Sequence, residues 1–272
     1  MNYIHEIQYL IRNNKFEHYY LFENVLRAFQ NELNINAKWK IGSNESWILG
    51  FCANSNYNIY GLNFSIELLE GVKKTFDFNE LPNRICFSGN KEIIEYLFSG
   101  KSNIEYKIYK NRYIYEIAKS EFKPKEIEKD IIIRNATLDD TEILAKYNCK
   151  FFEEEYNGQN NKDLELMKIA IKEQIKQFQY IVAEKNNQIL GFCSHFETKL
   201  ENDMIGTVYV EVEFRNDSIG RILLNEMTKI VLSKNQKSYL TTDMKNEASN
   251  KIVTDLGYQK IYEYTSGEMI KL

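Results

Sequence analysis

The sequence predicts an α/β (α+β) protein in two halves, and three observations carry that reading. Of 272 residues, 43% are hydrophobic and 14% aromatic, while only 12 are Gly and 2 are Pro. That balance excludes collagen-like, Gly/Ser-linker and disordered chains and leaves a packed globular one. Segments with apolar residues at helical spacing alternate with short β-branched runs. Finally, Pro124 stands in the charged stretch Glu121-Phe-Lys-Pro-Lys-Glu-Ile-Glu-Lys-Asp130 between two apolar segments, which marks a boundary. Residues 1–123 and 124–272 are therefore expected as two domains, each long enough to bury a core.

The second half reads in order. Ile131 to Thr137 is a β-branched strand, and Thr137-Leu-Asp-Asp140 offers an N-cap with acids in the first turn, opening a helix to about Tyr156. A second helix from Asn161 lines up Leu164, Met167, Ile171, Ile175 and Phe178 on one face. Tyr180–Glu184 and Ile189–Phe196 form a hairpin across Lys185-Asn-Asn-Gln188. A longer strand, Met204–Phe214, precedes a helix over Ser218–Ser233 with Ile219, Leu223, Met227 and Ile230 on one face. Tyr239–Asp243 is a strand, Asn246–Leu256 a short helix closed by Gly257, and Ile261–Ile270 the last strand.

Charge and cysteine use exclude several functions. The net charge of -4, with no basic cluster, argues against nucleic-acid binding. The four cysteines, Cys52, Cys86, Cys149 and Cys193, lie far apart with no histidine at ligand spacing, so no metal site and no disulfide framework are expected. The first residues lack the basic and apolar regions of a signal peptide, and no stretch reads as a membrane span. A cytoplasmic protein without membrane contact is the expectation.

Two segments carry a family resemblance. Gly206-Thr-Val-Tyr-Val-Glu-Val-Glu-Phe-Arg-Asn-Asp-Ser-Ile-Gly-Arg221 is a strand running through a Gly-containing loop into a helix, and Asn246-Glu-Ala-Ser-Asn-Lys-Ile-Val-Thr-Asp-Leu-Gly-Tyr258 is a short Asn-x-x-Ser helix. With the order β-α-α-β-β-β-α-β-α-β, they resemble the GCN5-related N-acetyltransferase (GNAT) family. The resemblance implies the acyl-CoA N-acyltransferase fold: a mixed, mostly antiparallel central sheet flanked by helices. It also implies acetyl-CoA as cosubstrate, no metal, and a small-molecule or peptide amine as acceptor, with a homodimer as the candidate assembly.

The physics of a helix N-terminus agrees, since its unpaired N–H groups and dipole suit a pyrophosphate. The expected cofactor-binding residues are Tyr209 and Val210 on the strand, Arg215, Asn216, Ser218, Ile219, Gly220 and Arg221 in the loop and first helical turn, and Asn246 and Ser249 in the later segment. Glu211, in the central strand two residues after Tyr209 and so on the same face by period-2 alternation, is the candidate base. Glu213 continues that face, and His195 is a weaker candidate. The acids of Phe151-Phe-Glu-Glu-Glu-Tyr156 suggest a cationic acceptor such as a polyamine or an aminoglycoside.

Two departures from the family pattern bear on activity. Ser218, preceded by Asp217, stands where the loop's first Gly is usual, and Val253 stands where the family often supplies a tyrosine that protonates the leaving thiolate. A catalytically impaired CoA-binding or ligand-sensing protein is the alternative reading. In the first half, helical periodicity at the start, a hairpin over Trp47–Ala53 and Asn58–Phe64, a strand-to-helix step at Arg84–Phe98 and a strand over Ile104–Ala118 resemble a degenerate copy of the same fold. Ser88-Gly-Asn-Lys-Glu lacks the phosphate-loop pattern, so no cofactor is expected there.

Overall fold

The computed structural model describes residues 3–12, 14–29, 35–53, 55–125, 130–158, 161–177, 179–198, 200 and 202–272. Phe178 of the expected helical stripe and residues 126–129 of the expected boundary lie outside the described residues. The chain divides into two compact units. One comprises Met1–Ile114, Thr242–Glu247 and Lys260–Leu272; the other comprises Tyr115–Thr241 and Ala248–Gln259.

In the first unit two helices, α1 (Tyr3–Ile11) and α2 (Tyr19–Phe29), precede an antiparallel meander of β1 (Ile35–Gly42), β2 (Trp47–Ala53) and β3 (Asn56–Leu62). Helix α3 (Ile66–Thr75) crosses over to β4 (Cys86–Asn90), which lies parallel to β3 from Asn56–Cys86 to Ile59–Gly89. Helix α4 (Lys91–Phe98) and the long strand β5 (Ile104–Ala118) follow. The chain's last strand, β11 (Gln259–Lys271), returns to pair antiparallel with β4, Tyr264 opposite Asn90 and Glu268 opposite Cys86. The core is aromatic and branched: Ile48, Ile59, Phe87, Ile93, Leu97 and Met269 are fully buried. Each such side chain contributes roughly 1.5–3 kcal/mol relative to exposure.

The second unit repeats that order behind an added first strand. Strand β6 (Ile132–Asn135) leads into a 3-10 turn, Leu138–Asp140, and helix α5 (Thr141–Glu155). The expected cap at Thr137 is a capping box: the Asp140 carboxylate accepts the Thr137 N–H at 2.7 Å. Arg134 clamps Asp140 at 2.7 and 3.0 Å and Glu184 at 2.7 Å. Burial would raise the Asp140 carboxyl, but the Arg134 guanidinium and the Thr137 amide outweigh it and hold the group below its usual range.

Helix α6 (Leu164–Lys176), capped by the Asp163 carboxylate on the Leu166 N–H, packs Ile171 and Ile175 with Leu144, Tyr147 and Phe192. The meander continues through β7 (Tyr180–Lys185), β8 (Gln188–Phe196) and β9 (Met204–Val210), all antiparallel. Helix α7 (Ile219–Lys234) then crosses to β10 (Lys237–Asp243), parallel to β9, and α8 (Glu247–Asp255) follows. The mixed, mostly antiparallel sheet flanked by helices is as the sequence predicts.

Three differences from the sequence reading have physical causes. Strand β9 ends at Val210 and not at Phe214, because residues 212–214 wind into a 3-10 turn. The Glu211 carbonyl accepts the Phe214 N–H at 2.9 Å, and the Glu211 carboxylate accepts the Val212 N–H at 3.0 Å. Sequence reading also passes over α3, whose apolar face is interrupted by Gly71, Lys73 and Lys74, and β1, where Lys38 and Lys40 break the apolar run. Among the described residues no helix is long and apolar enough to cross a membrane.

Candidate active site

The site of interest is built where β9 leaves β10. These parallel strands pair only at Met204–Tyr239 and Ile205–Leu240, whereas β9 pairs with β8 up to Val210. From Gly206 to Val210, then, the β10-facing edge of β9 diverges and carries backbone groups that a ligand can pair with as an added strand. Tyr209 and Val210 sit at the end of this edge, Tyr209 with its ring buried against Tyr147 and Phe192.

Past the 3-10 turn, the chain enters α7 through two left-handed residues, Asn216 at φ 71° and Ser218 at φ 61°. Ser218 stands where the loop's first glycine is usual. The structure gives it the conformation that a glycine would supply, at a cost of roughly 1–2 kcal/mol for a residue with a Cβ. Ser218 makes no side-chain cap. By contrast, Ser65, Asn90 and Asp163 each accept an N–H in the first turn of α3, α4 and α6. Helix α7 thus opens on Ile219, Gly220 and Arg221 without a serine oxygen on its amides. At Gly220 a Cβ would meet Val210 Cγ2 at 3.7 Å and Ile252 Cδ1 at 3.9 Å, ordinary contacts, so the fold itself does not require glycine there.

Both arginines of the loop hold carboxylates. Arg215 donates from Nη2 to both Glu154 oxygens, at 2.9 and 2.8 Å, and from Nε to the Val210 carbonyl at 2.9 Å, with its guanidinium 5.5 Å from the Tyr209 ring centre. Arg221 donates to Asp255 at 2.6 Å, and its charge holds the Asp255 carboxyl below the usual range. Asn246 donates its backbone N–H to the Asp243 carbonyl in the turn before α8 and belongs to the first unit. Ser249 lies on α8 and belongs to the second. Val253 is buried on α8 and offers no proton.

Because β9 has ended, Glu211 does not share a strand face with Tyr209, and the alternation that suggested it does not apply. Glu211 instead caps the 3-10 turn and takes the Lys150 ammonium at 2.6 Å. Burial would raise its carboxyl; Lys150, the Val212 amide and Arg215 outweigh burial and hold it below the usual range. Glu211 and Glu213 face a cleft of about 520 Å³ with Ile143, Lys146, Tyr147, Lys150, Lys162, Leu164 and Gln188. The Tyr147 phenol is pushed up to about 12 by burial and by the charges of Glu211 and Glu213.

His195, the weaker sequence candidate, lies elsewhere, and so do the tyrosines that follow α8. His195 is buried near Asp203, 3.8 Å away, and Asp203 in turn accepts from Asn235 at the C-terminus of α7. The Tyr258 hydroxyl is fixed between Thr228 and Ser238, at 2.9 Å from each, and burial pushes it up. Tyr262 and Tyr264 belong to the first unit. Among the described residues no cluster of His, Cys, Asp and Glu could hold a metal ion. What sequence reading missed is Lys150 as the partner of Glu211; its only signal was a lysine near the end of the helix.

A splayed parallel strand pair running into an uncapped helix N-terminus defines an acyl-CoA N-acyltransferase fold. Residues 141–258 match the model of the acetyltransferase (GNAT) family. The chain also resembles solved structures along most of its length. A GCN5-related N-acetyltransferase from Sphaerobacter thermophilus is 14% identical with a TM-score of 0.56, covering 84% of this chain and 76% of its own. A GNAT-family acetyltransferase from Colwellia psychrerythraea is 11% identical, TM-score 0.56, covering 83% and 86%. A Drosophila protein is 12% identical, TM-score 0.53, covering 98% and 95%. No curated protein matches the sequence.

Proposed function

We propose that the second unit is an N-acetyltransferase that moves the acetyl group of acetyl-CoA directly to a primary amine. The observation that carries this is the open edge of β9 leading straight to the uncapped amides of α7. The edge offers backbone partners to the pantetheine amides, and Ile219, Gly220 and Arg221 offer N–H groups and the helix dipole to the pyrophosphate. In the transfer the amine nitrogen bonds to the thioester carbonyl carbon, the carbon–sulfur bond breaks, the nitrogen loses one proton and the sulfur gains one.

We assign no covalent part to Cys193 or Cys149. Cys193 is fully buried and its thiol is pushed up by burial, and burial also raises Cys149. Glu211 stays ionised, so its work is to draw and orient an ammonium, whose proton passes to solvent water. With Val253 in place of a tyrosine, water is the group that protonates the departing thiolate.

Val253 also favours the second reading, a CoA-binding protein with impaired chemistry. Calorimetric titration with acetyl-CoA, beside a Gly220→Ala variant, tests the binding that both readings share. Release of free CoA with an amine panel then separates them. A chain that binds no acetyl-CoA defeats both.

A further inference from the structure

The first unit differs from the second where a cosubstrate would lie. Strand β3 pairs with the parallel β4 at four positions, Asn56–Cys86 to Ile59–Gly89, whereas β9 and β10 pair at two. At Gly89 the two strands touch, since a Cβ there would stand 1.9 Å from the Ile59 carbonyl oxygen. Helix α3 follows β3 as α7 follows β9, but it starts capped: the Ser65 hydroxyl accepts the Leu68 N–H, and Glu67 puts a carboxylate in the first turn. A pyrophosphate finds neither a free first turn nor a matching charge there.

The recess beside the third strand nevertheless persists. In the second unit the cleft of Glu211 is lined from α5, from the hairpin turn at Gln188 and from the chain just past β9. In the first, a cleft of about 270 Å³ is lined from the end of α1, from the hairpin turn at Glu45 and from the chain at the end of β3. Sites for drug-sized molecules enclose roughly 300–1,000 Å³, so this one suits a smaller ligand. Leu10, Ile11 and Leu62 give it apolar surface, and Arg12 and Glu45 give it opposite charges.

Those charges do not meet. Arg12 ends α1 in a left-handed conformation, φ 44°, with its guanidinium 5.6 Å from the Tyr9 ring centre. Glu45 is fixed through its backbone, whose carbonyl accepts the Asn63 side-chain N–H at 3.2 Å, and Asn63 is itself left-handed at φ 48°. Among the described residues neither Arg12 nor Glu45 has an ion-pair partner. Opposite Leu62 on β2 stands Trp47, fully buried, whose indole N–H has no hydrogen-bond partner among the described residues. Two uncompensated charges of opposite sign beside apolar side chains are the complement of a small zwitterion.

We infer that this cleft binds a free amino acid with an aliphatic side chain, as an effector and not as a reactant. Arg12 faces its carboxylate, Glu45 its ammonium, and Leu10, Ile11 and Leu62 its side chain. The inference stands on the first unit alone and does not depend on the acetyltransferase reading.

Calorimetry on the full chain, without acetyl-CoA, uses leucine, isoleucine and valine beside leucinamide, N-acetylleucine, glutamate and lysine, each up to about 10 mM. At least one of the aliphatic amino acids is expected to bind, and leucinamide, N-acetylleucine and the charged amino acids to bind at least tenfold more weakly. Arg12→Gln and Glu45→Gln, both at exposed positions, should each weaken binding tenfold or more with an unchanged circular dichroism spectrum. Glu213→Gln, in the second unit's cleft, should leave this binding as it is. The inference is overturned if none of the three binds, if leucine binds no better than leucinamide or N-acetylleucine, if the Arg12 and Glu45 variants bind as the parent does, or if binding is lost in Glu213→Gln.

Discussion

Arg215 holds Glu154 with one nitrogen on both carboxylate oxygens, joining the loop before α7 to the last turn of α5. Burial alone would lower the guanidinium's pKa, but the Glu154 carboxylate outweighs it and raises it, so the charge is permanent. Under the proposed function a cofactor phosphate competes with Glu154 for that charge. Glu154→Gln is therefore expected to tighten acetyl-CoA binding severalfold, and Arg215→Ala to weaken it. Because both side chains are more than a third exposed, the change in stability should stay within about 1 kcal/mol. Calorimetric Kd values beside denaturant midpoints read both effects, and weaker binding in Glu154→Gln would show that the pair positions the loop.

Ser218 and Gly220 should respond in opposite senses. Ser218→Gly relieves a left-handed serine and is expected to raise stability by about 1 kcal/mol without weakening acetyl-CoA binding. Gly220→Ala meets only ordinary contacts and gains helix propensity, so stability should hold or rise by up to ~1 kcal/mol. Its methyl nonetheless stands beside the expected pyrophosphate, and acetyl-CoA affinity should fall at least tenfold. A Gly220→Ala protein that binds normally removes that loop from the site.

His18 makes the first unit acid-sensitive. It is fully buried among the rings of Trp47, Tyr60 and Tyr262, neither ring nitrogen has a hydrogen-bond partner among the described residues, and burial pushes its pKa down to about 3. The folded value lies below the unfolded one near 6.5, so the unfolded chain takes up the proton first. Stability is full above pH 6.5 and is lost as pH falls from there toward 3, at up to about 1.4 kcal/mol per pH unit. His18→Phe should flatten that limb in urea titrations across pH 4–7. An unchanged slope would assign the acid loss to other groups.

Asn225 on α7 fixes the chain just after Pro124. Its side-chain oxygen accepts the Lys125 N–H and its amide donates to the Lys125 carbonyl, both at 3.1 Å, as a neighbouring strand would. Asn225→Ala removes two hydrogen bonds that a buried side chain makes to the exposed Lys125 backbone and should cost about 1–3 kcal/mol. Faster proteolysis near residues 119–125 is the accompanying sign, and a protein as stable and as resistant as the parent would contradict it.

Much of the second unit was legible because its elements announce themselves locally. Thr137 and Asp140 form a capping box, Lys185 to Gln188 a tight turn, and Gly257 takes a positive φ after α8. Glu211 was legible as a candidate residue but not in its geometry. Its carboxylate ends the strand by taking the next amide, a local bond that competes with the ladder, and periodicity carries no sign of such competition. The partners of Arg215 and Arg221 were illegible for another reason: Glu154 and Asp255 are 61 and 34 residues away, and only the folded chain brings them near.

The position of β11 governs the order in which the protein can be made. It pairs with β4, yet its residues 259–271 follow every element of the second unit. On the ribosome, β4 must wait with one edge unsatisfied while about 170 further residues are synthesised, at roughly 5–20 residues per second. The first half of the gene product is thus the last to be finished, and the interval of 8 to 34 s or so is when an exposed strand edge most needs a chaperone.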